Sequence, residues 1–309
     1  MKPEFIFYLL VFPGLIFTGL LGLSAGWLDR KISARFQFRA GPPFFQNFND
    51  FIKLLGKDTL IVKDSISILF ILSPLVSFSM LVLVSAISGM ALFFNQSFGG
   101  DLIVIMYLLL INSITIVFGG ASTGNVYSSV GAGREMKLLL ADELAFIFVC
   151  LVPVVKSGYN LELVKFLEVQ NAGGAFINSF SGIIGFTIGL LCIQAKMSLP
   201  PFNIPEAETE IVDGPFMEYS GPLLAFWTLN HFLMYVVFPF LLIIMFLGGF
   251  SLNGIGILWA VIKYLLILLV MIILKNTNPR VRIDTALNFF WKYAAAAGSL
   301  AVILAAFGW

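Results

Sequence analysis

Five carboxylates fall within thirteen residues, at Glu206, Glu208, Glu210, Asp213 and Glu218. They stand in a run that begins Pro200-Pro201-Phe202-Asn203-Ile204-Pro205 and is mixed with Ile211, Val212, Phe216 and Met217. Acids this close cannot all ionise cheaply, so some keep protons and can exchange them along the row. Asn203 followed by Glu206 reads as a capping box, with Pro205 tolerated in the first turn. If Pro205–Asp213 is helical, Glu206, Glu210 and Asp213 share a face, and Gly214-Pro215 ends it. A solvated acidic loop is the competing reading.

A second group comprises Arg134, Glu135, Asp142 and Glu143. On a helix, Arg134 and Glu143 lie well over ~10 Å apart by axial rise, so they are not simply an ion pair. Asp142 and Glu143 come one to two turns into an apolar run. A carboxylate costs roughly 2.5–3.5 kcal/mol to insert into a membrane, and marks a proton or ion path by default. The alternative is a pair of helix-start acids favoured by the macrodipole and facing water. Other chemistries lack their residues. No nucleophile–base constellation occurs, and the glycines at 119, 120, 131 and 133 suit close helix packing or a turn, with no phosphate-loop lysine. Cys150 and Cys192 lie in apolar runs without ligand spacing, so no metal or other cofactor is expected on this chain.

The elements that carry these acids are membrane spans. Of 309 residues, 59% are hydrophobic and 11% charged, against roughly 25% charged in soluble domains. Such a chain needs the bilayer as its solvent. A net charge of +1 gives no electrostatic reason to bind nucleic acid. At about 20 apolar residues per crossing, spans are predicted near Phe5–Trp27, Ser65–Phe94, Leu102–Gly124, Leu138–Val155, Ala175–Ala195, Tyr219–Gly248, Gly254–Leu274 and Thr285–Phe307. The first is read as a helix rather than a secretory signal. The expected fold is an all-α integral membrane protein, about eight transmembrane helices in one domain over residues 1–309. Lys263, Lys292 and His231 fall inside spans, the lysines to pair or snorkel and the histidine to be bonded within the core.

Loop charge orients the chain. Thirteen of its 18 lysines and arginines fall on one set of loops, from Arg30 and Lys31 through Arg134 and Lys196 to Arg282. Lys2, Lys156 and Lys165 fall on the other. The positive-inside rule makes the long loops cytoplasmic and both termini external, in a multi-pass protein of the cell membrane. On the cytoplasmic side, Phe44, Phe48, Phe51, Ile52 and Leu55 recur at helical spacing after a Gly41-Pro42-Pro43 turn. They predict an amphipathic helix lying at the interface or packed on neighbouring spans.

Three motifs together resemble one family. Pro201 to Gly214, closing on Glu218-Tyr219-Ser220-Gly221, is similar to the signature loop of the complex I membrane subunit beside the quinone chamber. Arg134 to Glu143 resembles that subunit's fourth-helix motif. Gly41-Pro42-Pro43, Gln46, Asp50, Lys53-Leu54-Leu55 and Lys57-Asp58 resemble its first cytoplasmic loop. The resemblance implies a subunit that joins a redox arm to an ion pump. It implies a carboxylate path through Asp142, Glu143, Glu206, Glu208, Glu210, Asp213 and Glu218. It further implies a seat for the peripheral arm around Arg35, Arg39, Gln46, Asp50, Lys53 and Arg134. The partners would be an iron–sulfur subunit and a catalytic large subunit, with antiporter-like membrane subunits alongside. Iron–sulfur clusters, and in the hydrogenase branch a nickel–iron site, would belong to those partners.

Two departures from the quinone-reducing pattern stand out. Gly41-Pro42-Pro43 passes almost directly to Gln46, where that pattern carries a longer insert. Leu199 and Asn203 occupy positions where it carries arginine and aspartate. Both resemble the membrane-bound, ferredoxin-linked hydrogenases, formate hydrogenlyases and sulfane sulfur reductases. The expected function is therefore coupling in a hydrogenase-type complex, with the quinone-chamber subunit of a quinone oxidoreductase or the equivalent subunit of a membrane-bound sulfane sulfur reductase as alternatives. A stand-alone secondary transporter would favour internal repeats and helices broken deep in the bilayer, which the sequence lacks.

Overall fold

A hydrocarbon interior offers backbone amides no water, so each crossing segment must satisfy its own hydrogen bonds as a helix. The computed structural model describes residues 3–63, 65–251 and 254–308, with side chains except at 3–6 and 208, and among these no strand occurs. Helices α1 (Pro3–Leu10) and α2 (Leu15–Phe36) are followed by α3 (Gln46–Leu55), α4 (Ser67–Phe94), α5 (Asp101–Ala121), α6 (Val126–Lys156) and α7 (Leu163–Gly173). Then come α8 (Phe180–Lys196), the short α9 (Glu208–Ile211), α10 (Gly221–Phe246) and α11 (Ile255–Thr277). The last crossing joins α12 (Ile283–Asn288) to α13 (Ala295–Ala306) through a π-turn at Phe289–Ala294.

Seven helical segments of the described residues are long and apolar enough to span, and α8 is a shorter apolar helix. The chain is a multi-pass membrane protein, and its crossings fall where the apolar runs predict them. Its centre is α10, apolar all round and therefore buried all round. It packs on α2 and α4, while α6 packs on α5, α8 and α13. Backbone approach depends on missing side chains: a Cβ at Gly22 of α2 would meet Phe232 O of α10 at 2.5 Å.

Three features differ from the simplest reading of the spans. First, α6 starts at Val126, twelve residues before the predicted Leu138, because the Asn125 side chain accepts the Tyr127 N–H at 2.9 Å and caps it. Its 31 residues extend about 46 Å, well beyond a hydrocarbon core of ~30 Å. Arg134 and Glu135 therefore ride on the helix itself. Second, α7 forms in what reads as a loop, burying Leu163, Val164, Phe166, Leu167 and Gln170 along one face. The Asp101 carboxylate accepts its first N–H, from Leu163, at 3.0 Å. The Gln170 amide donates to Ile244 O at 2.8 Å and accepts from Gly248 N at 2.9 Å. Third, the amphipathic α3 is anchored by a polar residue. Asn47 is buried and donates to Leu23 O at 3.0 Å, while Phe44, Ile52 and Leu55 stay exposed.

Ends of helices collect on two faces. On the face with the basic loops, Leu60 N donates to Ser220 Oγ at 3.0 Å, Ile66 N to Ser122 O at 2.9 Å and Val281 N to Pro201 O at 2.9 Å. On the other face, Lys263 donates to Leu247 O and Gly249 O at 2.6 and 3.0 Å, closing the end of α10. Lys2, assigned to that face from the sequence, lies outside the described residues. Lys292 is exposed.

The acidic segment is seated by glycine. Gly120 of α5 and Gly131 of α6 leave a notch that Gly214-Pro215 fills, and a Cβ on Gly131 would lie 2.8 Å from Pro215 Cδ. Ser128 Oγ donates to Pro215 O at 3.2 Å and holds the turn there. Gly214 has φ +53°, which few residues other than glycine adopt.

Gly131→Ala is accordingly expected to destabilise the detergent-solubilised protein by about 1–3 kcal/mol through overpacking. Gly133→Ala, whose Cβ would meet nothing within 4 Å, is expected to be neutral or to stabilise by up to about 1 kcal/mol. Thermal unfolding of the two variants checks this, and equal shifts would refute the notch.

Candidate functional site: a buried lysine–carboxylate cluster beside an inner cavity

Seven residues separate Glu135 from Asp142, two helical turns, so both face the same side of α6. Both are buried, at 3% and 1% exposure. Across from them α8 ends early, and Lys196 in its last turn is buried at 6%. A helix C-terminus favours a cation there. The Lys196 ammonium donates to Glu143 Oε2 at 2.7 Å and lies 3.2 Å from Asp142 Oδ2. The second contact is an ion pair without an aligned hydrogen bond. The ring of Phe146 lies 4.7 Å from the ammonium, a cation–π contact that excludes water. Immediately after α8 the chain turns through Ser198 at φ +48°, and Ser198 Oγ donates to Glu135 Oε2 at 3.2 Å.

The acidic segment does not form one helix. Only Glu208–Ile211 is α-helical, with a 3-10 turn at Gly214–Phe216, and the Asn203–Glu206 capping box is absent, Asn203 Oδ1 being buried without a hydrogen bond. Tertiary seating overrides local propensity here. Val212 and Gly214 take positive φ, +60° and +53°, to deliver Pro215 into its notch. The predicted face of Glu206, Glu210 and Asp213 is thereby broken up. Glu210 is at the surface, bonded to Arg134 at 2.6 Å with Arg280 at 4.0 Å. Glu206, half-buried, and Asp213, exposed, line a cavity that is open to the surface. Glu218 accepts from the Asn125 amide at 2.5 Å, beside the start of α6. Glu208 opens α9, and its side chain lies outside the described residues. Next to Glu218, Tyr219 stacks on Phe70 with ring centres 4.2 Å apart and donates to Phe70 O at 3.2 Å. Burial pushes its hydroxyl up to about 12, so it stays a donor.

The cavity holds about 460 Å³ and lies among α2, α10, α11 and the chain after α8. That is room for on the order of ten waters. Lys196, Ser198, Glu206 and Asp213 form one part of its wall, and Asp29, His231, Tyr235 and Lys275 another. Asp29 is buried, bonded to Lys275 at 2.6 Å and to the Tyr235 hydroxyl at 3.2 Å. His231 sets its ring edge-on to Tyr235 at 5.4 Å. A second cavity, lined by Gln37, Arg39, Pro42, Pro200 and Asn276, shares Asp29, Arg30 and Lys275 with the first. The Asp29–Lys275 pair therefore stands where the two meet.

Of the residues singled out from the sequence, Asp142 and Glu143 come together, and Glu206 and Asp213 reach the same cavity as Lys196. Arg134 and Glu210 form a separate surface pair. Arg35, Arg39 and Lys53 are exposed. Asp50 is engaged within the chain, bonded to Arg30 at 3.3 Å and to Gln46 at 2.8 Å. Sequence reasoning missed Lys196, Asp29, Lys275 and Tyr235 as site residues, and named Glu135 in its second acidic group without placing it on the path. Lys196 sits at the end of an apolar run, where it counts as loop charge.

The profile of the family described as NADH dehydrogenase matches residues 8–306. A subunit of the NADH-quinone oxidoreductase of Thermomicrobium roseum is 32% identical over 304 residues, covering 88% of this chain and 87% of that protein. Its counterpart in Syntrophotalea carbinolica is 31% identical over 320 residues, covering 95% and 93%. Among solved structures, a chain of the membrane-bound sulfane sulfur reductase, an archaeal respiratory membrane complex, superposes with a TM-score of 0.87. It is 24% identical and the match covers 97% of this chain and 99% of that one, a likeness of fold.

The Arg134 hydrogen bond, and then the charges of Arg280 and Arg134, hold the Glu210 carboxyl below its usual range. A depressed folded value stabilises the native state above the unfolded pKa of ~4.3 and is lost as pH falls through the folded value. Below that pH, wild-type protein is expected to lose thermal stability that Glu210→Gln does not lose. Parallel melting curves across the acid range would refute the pairing.

Proposed function

This chain belongs to the NADH dehydrogenase family, and from that premise we propose that it joins a redox arm to an ion pump within a membrane respiratory complex. The observation that carries the reading is the cluster of Asp142, Glu143, Lys196 and Glu135 beside a cavity of about 460 Å³. Lys196 of that cluster lines the cavity, and buried acids within reach of water can accept and release protons. Glu206 and Asp213 line the same cavity and extend the path toward the acidic loop. Glu208, Glu210 and Glu218 complete the carboxylate set along that loop. Glu210 serves at its outer end, where Arg134 and Arg280 hold it ionised.

The basic face is the cytoplasmic one, and both termini are external. Arg35, Arg39 and Lys53 are exposed there, and with Gln46, Asp50 and Arg134 they form the seat of the peripheral arm. An iron–sulfur subunit and a catalytic large subunit dock on that seat, and antiporter-like subunits lie alongside in the bilayer. Electron carriers, including iron–sulfur clusters and a nickel–iron site, belong to those partners.

The complex is of the ferredoxin-linked hydrogenase type, discharging electrons in the peripheral arm. Support comes from neutral residues where the quinone pattern carries charge. Leu199 is buried at 5% exposure, and Asn203 keeps a buried Oδ1 without a partner. The second reading is quinone reduction. It is favoured by the aromatic part of the cavity wall, Trp227 and Phe232, with the Tyr235 hydroxyl and His231 beside it. In the purified complex driven by reduced ferredoxin, quinone-site inhibitors are expected to leave turnover within twofold. Inhibition beyond tenfold establishes the second reading instead.

Glu143→Gln keeps shape and hydrogen bonding but carries no transferable proton. Ions moved per electron are expected to fall at least about tenfold, below the ~100-fold or more in rate that a lost proton-transfer group costs, with complex yield unchanged. A wild-type ratio in reconstituted vesicles rejects the relay.

A further inference from the structure

The ammonium of Lys196 has two carboxylate neighbours and is hydrogen-bonded to one. Its bond to Glu143 Oε2 is 2.7 Å, whereas Asp142 Oδ2, at 3.2 Å, makes no aligned hydrogen bond although it is buried. The two acids are consecutive on α6 and so point about 100° apart. Asp142 faces inward, and Glu143 is the more open of the pair, with side-chain exposures of 2% and 17%. Lys196 also lines the cavity, together with Met197 and Ser198. One cation thus touches a buried acid and a more open one. Phe146 caps it at 4.7 Å, and an aromatic face holds an ammonium without fixing where its protons point. A lysine has three rotatable donors on a flexible stem, suited to exchange partners with little movement.

We propose that Lys196 is the switching cation of this site, bonded to Glu143 while Glu143 is ionised and re-aimed at Asp142 Oδ2 once Glu143 takes a proton. It rests on the relay reading above and adds the device that orders its steps. A proton passes from water on the open side of Glu143 to one of its carboxylate oxygens. The N–H···Oε2 bond breaks, an N–H···Oδ2 bond forms, and the lysine remains an ammonium throughout. Asp142, Glu143 and Lys196 together go from one net negative charge to none. When Glu143 gives its proton up, the charge returns and the ammonium swings back. Ser198 holds Glu135 at the cavity side during both halves of the cycle. The buried thiols of Cys150 and Cys192 are the remaining titratable groups that face the cluster, and neither exchanges partners in this scheme. Lys196 is a positioning residue: it acts through Glu143 and transfers no proton itself.

The test compares ions moved per electron for the intact complex in vesicles. Lys196→Met with Asp142→Asn removes cation and anion together, and is expected to assemble while the ratio falls at least tenfold. Lys196→Arg keeps the charge but presents a planar fork that cannot re-aim between the acids, and at least a threefold fall is expected. A wild-type ratio in either variant makes Lys196 a static counter-ion and overturns the switch. Glu143→Gln separates the two ideas. If it too keeps the wild-type ratio, the relay itself fails; if it alone loses coupling, only the switch fails. The wild-type complex gives an independent readout. Turnover-induced infrared difference spectra are expected to show a protonated carboxyl band, absent in Glu143→Gln, rising together with a shifted carboxylate band, absent in Asp142→Asn. A rising carboxyl band with no accompanying carboxylate shift overturns the switch.

Discussion

Charge inside a membrane survives only beside its opposite, and the lengths of two helices decide where that meeting occurs. Of the two, α6 is overlong and carries Glu135, Asp142 and Glu143 inward from the basic face. Its neighbour α8, at 17 residues, ends short and leaves Lys196 inside the protein rather than at the interface. Removing either partner of such a buried pair would strand a charge, at a cost of about 3–5 kcal/mol. The pairing therefore fixes the relative depth of α6 and α8. Packing of α6 against α5 and α13 passes that register to the rest of the bundle. The Asp29–Lys275–Tyr235 group repeats the arrangement across the cavity, tying α2, α11 and α10.

Glycine supplies the complementary constraint. Where Gly120 and Gly131 face each other, the Gly214-Pro215 turn enters between α5 and α6. At the far end of the segment Gly221 has φ +58°, and a Cβ there would meet Lys57 O and Asp58 O at 2.7–2.8 Å. The acidic segment is thus held at both ends by backbone contacts that no larger residue permits. Its side chains are left to satisfy whatever surrounds them, and their surroundings differ sharply. The split of its acids between surface, cavity and cap follows from that.

Much of this was legible in the sequence, for physical reasons. A crossing needs about 20 apolar residues whatever surrounds them, so the spans are read from composition alone. Polar groups that pair across distant elements are not. The start of α6 was hidden because Arg134, Glu135 and Lys137 lower the local hydropathy, although Asn125 was available as a cap. The acidic segment reads as a helix because local propensity favours one. The notch made by Gly120 and Gly131, about ninety residues upstream, outweighs that preference. Lys196 carries no local mark of burial, since its partners lie more than fifty residues away.

The acidic segment has two chemically different edges. Glu210 is clasped at the surface by Arg134 and Arg280, while Glu206 and Asp213 lie in the cavity wall. Only three residues separate Glu210 from Asp213, and the Gly214-Pro215 turn beyond them is wedged in place. The surface clasp and the cavity wall are thus joined by a short stretch fixed at the wedge. Arg134 sits on α6, two turns before Asp142, and the same helix carries the surface clasp and the buried lysine's partners. On the proposed reading, a subunit docked on the basic face pushes at the first and is answered at the second. The coupling then needs no large motion, only the transfer of a hydrogen bond between two acids that stand side by side.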